Sequence, residues 1–201
     1  MSRPTLPLLP LILSLLFIAR GTAEPNDGQN FVMALCRETP FPTVCYMSLG
    51  IHADAIRQDP HELARTALTL SVAGAEATKA DMLKLAHITG LKPAEYGALK
   101  DCLDQIEDSV NRLTQSAREI EQLSQAKGDE FSWHVSNVVT WTSAALAQMD
   151  TCGRGFSDRA LDGKIKATVQ PEVIHVWQLI RNAIELFQQF AAQKVIIIEN
   201  I

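Results

Sequence analysis

The residues able to do chemistry are few, and their spacing argues against a catalytic centre. Asp104 and Asp108 stand four apart in a helical segment and so share a face. Paired carboxylates can act as general acid and base, but a carboxylate line on an amphipathic helix is the ordinary composition of a solvated face. The five histidines (His52, His61, His87, His134, His175) are scattered, with no H-x3-H pair and no nucleophile elbow to accompany them. Trp133, Trp141 and Trp177 read as core or half-exposed packing rather than a sugar-stacking platform. The remaining candidates are the four cysteines, Cys36, Cys45, Cys102 and Cys152. A zinc site is excluded by spacing: residues 36 and 45 are too far apart for C-x2-4-C, and no histidine lies near the other pair. No metal site and no cofactor is expected.

Whether the cysteines are thiols or bridges depends on the compartment, which the N-terminus addresses. Arg3 precedes a nearly unbroken apolar run from Leu8 to Ile18, and Gly21-Thr22-Ala23 closes it with small residues. This is the pattern of a secretory signal peptide over residues 1–23, with Glu24 as the new N-terminus. The run is too short to span a bilayer, which takes about 20 residues. No N-x-S/T site occurs. Removing the leader takes away Arg3 and Arg20 and no acid, leaving 16 basic against 23 acidic residues and a net charge of −7. That charge disfavours nucleic acid and anionic membrane as partners of the mature form and permits a basic protein. In an oxidising compartment four cysteines imply two disulfides, with three pairings open to them. Spacing favours 36–45, a local clip, and 102–152, a tie between long helices.

The elements that carry these residues are helical. Asn30–Leu35 and Thr43–Leu49 flank Thr39-Pro40-Phe41-Pro42, whose prolines stop a helix and prescribe an extended turn, so a hairpin of about 29–50 is expected. Asp59-Pro60-His61-Glu62 opens a long helix with a capping box; its apolar line is Leu63, Ala67, Leu70, Ala73, Ala77, Ala80, and Gly90 stops it. The next helix carries Leu99, Leu103, Ile106, Val110, Leu113, Ala117 and Ile120 in 4-3-4-3-4-3 spacing. A wet line of Asp101, Asp104, Asp108, Asn111, Gln115 and Arg118 runs beside it. A third helix, capped by Asp129, carries Val135, Val138, Thr142, Ala145, Met149 and Cys152 and ends at Gly153. Arg154–Gln170 reads as a surface loop, and the last helix starts at Pro171 with Val173, Val176, Ile180, Ala183, Phe187 and Phe190. The apolar tail from Val195 is expected to pack on the bundle. The reading is all-α: an up-down-up-down four-helix bundle of about 59–194 preceded by a short disulfide-clipped helical hairpin, one domain over residues 24–201. In the antiparallel pair Cys102 and Cys152 fall at neighbouring ends, which favours their bridge.

Three stretches resemble a known family, the plant invertase/pectin methylesterase inhibitors. They are Cys36-x8-Cys45 with Thr39-Pro40-Phe41-Pro42, the segment Ala98–Val110 around Cys102, and Thr140–Leu146 followed by Asp150-Thr151-Cys152. The resemblance covers about Asn30 to Ala192. It implies a secreted inhibitor, not an enzyme, that covers the active-site cleft of a cell-wall enzyme in a 1:1 complex. In the pectin methylesterase branch, helices around the second bridge meet the enzyme. Carried over, the contact candidates are Asp104, Asp108, Ser109, Asn111, Asp150 and Thr151. Gly153-Arg154-Gly155 departs from the family's pattern, where an acidic residue commonly follows the last cysteine. Invertase inhibitors resembling this domain carry a Gly-Asp-Pro-Lys-Phe stretch; here Gly128-Asp129-Glu130-Phe131 lacks the proline and presents an acid. The resemblance therefore points to pectin methylesterase in the apoplast or cell wall, with acid invertase as the alternative target. A secreted helical ligand of a receptor is the competing class; a lipid carrier is disfavoured by alanine-rich seams.

Overall fold

The computed structural model describes residues 26–199; the expected signal peptide lies outside the described residues. Two short helices, α1 (Asp27–Cys36) and α2 (Pro42–Leu49), form the hairpin, joined by a Cys36–Cys45 disulfide with Cα atoms 5.5 Å apart. Asn26 caps α1 by accepting from the Gln29 N–H, and Pro42 occupies the first turn of α2. A one-turn helix α3 (Ala53–Ile56) leads to the bundle: α4 (Pro60–Ala86), α5 (Pro93–Glu119), α6 (Gly128–Gly155) and α7 (Lys164–Glu199). Each bundle helix packs on its chain neighbours, and α7 closes the ring against α4. This is the up-down-up-down arrangement expected.

Local details differ from the sequence reading in instructive ways. Asp59 caps α4 and Pro60 opens it, but Glu62 pairs with Arg65 at 2.6 Å instead of completing a capping box. The buried line of α4 is Leu63, Ala64, Ala67, Leu68, Ser71, Ala75, Thr78 and Met82; Ala73, Ala77 and Ala80 face solvent, and the helix stops at Ala86, ahead of Gly90. Asp129 sits in the first turn of α6, and Lys127, not Asp129, occupies the N-cap position. The expected loop before Pro171 collapses to residues 156–163. Leu161, Ile165 and Val169 are buried and extend the apolar stripe of α7 toward its start. Pro171 lies inside α7 on its exposed side, at the cost of one backbone hydrogen bond. At the other end, Val195 and Ile196 are 40% and 59% exposed.

The seam of α5 shows how one helix chooses between two apolar faces. Leu99, Ile106, Leu113 and Ile120 are buried as expected, but the positions between them are Cys102, Ser109 and Ser116, while Leu103, Val110 and Ala117 sit half-buried at the flank. The choice follows from close approach to α6. Ser109 donates to the Ala145 carbonyl at 3.2 Å, and Thr142 donates to Ser116 at 3.1 Å. Small side chains let the two backbones come together and satisfy their own hydroxyls there.

The interior divides into two apolar clusters. One gathers the hairpin and one end of the bundle: Val32, Leu49, Ile56, Leu68, Ile120, Phe131, Phe187 and their neighbours. The other fills the opposite end around Cys102, Cys152, Met82, Met149, Phe156 and Val176. Between them every bundle helix contributes one buried polar residue: Ser71, Ser116, Thr142 and Asn182. Asn182 ties the hairpin to α7. Its amide accepts from the Phe41 N–H and donates to the Phe41 carbonyl, both at 3.0 Å.

Candidate functional site

The second disulfide, Cys102–Cys152, joins an early turn of α5 to a late turn of α6, with Cα atoms 4.4 Å apart and both residues buried. No free cysteine occurs among the described residues. Over this bridge lies a groove of about 640 Å³. Small residues (Ala94, Gly97, Ala98, Gly155) and polar ones (Asp101, Asp104, Gln105, Thr151, Asp158) line it together with the two cysteines. A Cβ added at Gly97 or Gly155 would meet nothing within 4 Å, so both glycines border open space.

The structure brings together part of the expected contact set. Asp104 and Thr151 share the groove and are both exposed. Asp108 and Asn111 continue the same wet face along α5. Ser109 is a correction: it is fully buried between α5 and α6, its hydroxyl committed to Ala145, and it is unable to touch a partner. Asp150 points round the other side of α6, where it pairs with Arg154. Arg154 also donates to Thr151 Oγ1 at 3.2 Å, while the Thr151 hydroxyl donates to the Ala147 carbonyl at 2.9 Å. The cation that breaks the family's pattern therefore sits on the crest of α6 between Asp150 and Thr151 and neutralises the former. Asp158 was not expected in this place; no periodic signal could have put it there, because its position depends on the short turn from α6 into α7.

The exposed side chains of the groove offer carboxylates and a hydroxyl to a partner surface. Among the described residues no cluster of three or more histidine, cysteine or acidic side chains could hold a metal. The nearest approach to an acid–base pair is His134, whose Nδ1 lies 2.8 Å from Glu119 Oε1, with Asn137 donating to the same oxygen at 2.7 Å. It is a half-buried staple between α5 and α6. In the first turns of α6, Phe131 is buried and the Glu130 side chain is 71% exposed. Among the described residues no helix is long and apolar enough to cross a membrane.

A family profile described as "Plant invertase/pectin methylesterase inhibitor" matches residues 30–186. The chain is 42% identical over 173 residues to "Pectinesterase inhibitor 11" of Arabidopsis thaliana, covering 86% of each chain. It is 39% identical over 183 residues to the "21 kDa protein" of Daucus carota, covering 91% of this chain and 95% of that one. Among solved structures, a mutant form of a pectin methylesterase inhibitor from Arabidopsis superposes with a TM-score of 0.63 over 78% of this chain and 95% of that one, at 20% identity, a likeness of fold.

Proposed function

The chain belongs to the plant invertase/pectin methylesterase inhibitor family, and from that premise we propose that it is a secreted inhibitor of pectin methylesterase. It is not an enzyme. The observation that carries the reading is the 42% identity, over 86% of both chains, to a protein named for inhibiting pectinesterase. The mature form begins at Glu24, works in the cell wall, and covers the enzyme's cleft in a 1:1 complex.

The contact face is the acidic side of α5 together with the last turns of α6: Asp104, Asp108 and Asn111 from the one, Thr151 and Asp150 from the other. Asp101 and Asp158 join them at the groove over the second bridge. A face of this charge suits a basic enzyme surface and acts mainly on the rate of encounter. Acid invertase is the less suited target. Its pocket is built around catalytic carboxylates, and the exposed Glu130 would bring like charge into a desolvated site at a cost of several kcal/mol, an order-of-magnitude figure. The experiment is a titration of purified protein from Glu24 onward against both enzymes at mildly acidic pH. Stoichiometric loss of pectin methylesterase activity with invertase unaffected is expected; tight inhibition of invertase alone would overturn the assignment.

A further inference from the structure

The acidic face alone makes an incomplete interface. Tight protein–protein contacts place charge at the rim and apolar side chains in a desolvated centre, where a few residues dominate the affinity. Asp104, Asp108, Asn111 and Thr151 supply only rim. The last turns of α6 form a ridge, and the two sides of that ridge differ. Toward α5 lies the acidic groove over the disulfide. Toward α7 lies a second groove of about 390 Å³, and its surface is mostly carbon: Phe41, Met149, Val173, Ile174 and Trp177.

The second groove is held open by its own construction. Trp177 is fixed edge-on against Phe41, ring centroids 5.6 Å apart, and Phe41 is in turn locked by both of its backbone bonds to Asn182. Gly153 leaves the α6 wall without a side chain, its Cα facing Val173. Ile174 is 52% exposed although it sits at the mouth of the groove in the middle of a helix. The rim is the Asp150–Arg154 pair, and Arg154 reaches over to Thr151 on the acidic side. A protein seated on Thr151 and the crest of α6 therefore meets both grooves at once.

We propose that the groove between α6 and α7 is the apolar anchor of the inhibitory interface, receiving one aliphatic or aromatic side chain of pectin methylesterase while the acidic face steers the enzyme's basic surface. The inference rests on the inhibitor reading given above and adds to it the residues that hold the complex together. It makes Ile174 and Arg154 determinants of affinity, although neither belongs to the acidic face.

The test is Ile174→Glu in the full mature chain, with Ile174→Ala beside it. Ile174 is half out in solvent, so the fold tolerates both changes, which an unaltered thermal melt verifies. Ile51→Glu is the control: an equal change of charge on an isoleucine that is 82% exposed near the hairpin. Loss of a central apolar anchor weakens inhibition of pectin methylesterase by ~30-fold or more for Ile174→Glu, mostly through faster dissociation, and by ~5-fold for Ile174→Ala. Ile51→Glu stays within twofold of the parent, on the order of assay scatter. If the parent inhibits and Ile174→Glu inhibits equally well, the anchor is wrong and the inhibitor reading stands. If the parent leaves pectin methylesterase untouched, the inhibitor reading falls and the anchor with it.

Discussion

The two ends of the bundle are built on different principles. At the hairpin end the core is rich in aromatic rings: Phe131, Phe187 and Phe190 share one cluster with the buried residues of α1 and α2, and the Phe41–Asn182 bonds tie the hairpin to α7. At the opposite end the core gathers Met82, Met149, Phe156 and the second disulfide, and Gly97, Gly153 and Gly155 line the grooves at its surface. A buried polar residue on each helix separates the two. Each end holds one disulfide, but the one at the hairpin clips a local turn of 9 residues, whereas the other ties two long helices across 50 residues beneath the acidic groove.

The largest test of this contrast is to cut the ties. Replacing Cys102 and Cys152 by alanine opens a loop spanning 50 residues, which costs about 4 kcal/mol in the chain-entropy account. The Cys36–Cys45 loop spans 9, and its loss costs about 2.5–3 kcal/mol on the same account. Urea midpoints of the two double variants should rank in that order. Equal losses would mean that the groove end is held by its packing after all. Next comes Asn182→Ala, which leaves the Phe41 N–H and carbonyl without their partner and should cost about 2–3 kcal/mol. Its signature is local: protease cutting near Thr39–Phe41 rises while the α5–α6 pair stays protected from hydrogen exchange. Protection lost uniformly would show that the two clusters unfold as one.

A smaller effect is expected from the groove end's charge. Asp104→Lys with Asp108→Lys leaves stability unchanged, because both side chains are exposed. It should slow association with pectin methylesterase by ~10-fold at low ionic strength, an effect screened once the Debye length falls to about 3 Å in 1 M salt. Unchanged kinetics at low salt would reduce the acidic face to a solubility device.

The fold was legible in sequence because heptad spacing survives any choice of neighbour. Leu99, Ile106, Leu113 and Ile120 are buried whichever flank of α5 turns inward. The flank itself was not legible: bulk favoured Leu103 and Val110, and close packing selected Cys102 and Ser109. The same shift removed Ser109 from the contact set. On α4 a run of alanines gave no contrast between faces, so Ala73 and Ala77 were misassigned to the core. The start of α7 was hidden by Pro171, a helix breaker in sequence that is tolerated here on an exposed side. Of the proposed contact set, Asp104, Asp108, Asn111 and Thr151 come from the resemblance, and the structure leaves all four exposed. The grooves were not legible, since each is walled by residues from helices far apart in the chain.

The smallest effect probes how far the groove end departs from optimal packing. Glu172, near the start of α7, is half-buried, and its Oε2 has no hydrogen-bond partner. Burial pushes its pKa above the ordinary glutamate value of 4.5, the Asp81 carboxylate across on α4 pushes the same way, and Lys84 opposes them. A carboxyl group with a raised pKa in the fold favours folding in its protonated form. Its contribution is complete below the ordinary value and is lost as pH rises through the raised one. Glu172→Gln keeps the shape and removes the charge. The variant should melt with the parent near pH 4 and above it at pH 7, by less than about 1 kcal/mol because the group is partly solvated. The gap should open between those two values and narrow without closing if Asp81→Asn is added, since the repulsion is then gone but burial, the larger cause, remains. Melting curves that run parallel at both pH values would show that this carboxylate finds its compensation in solvent, and that the groove end carries no electrostatic cost for staying open.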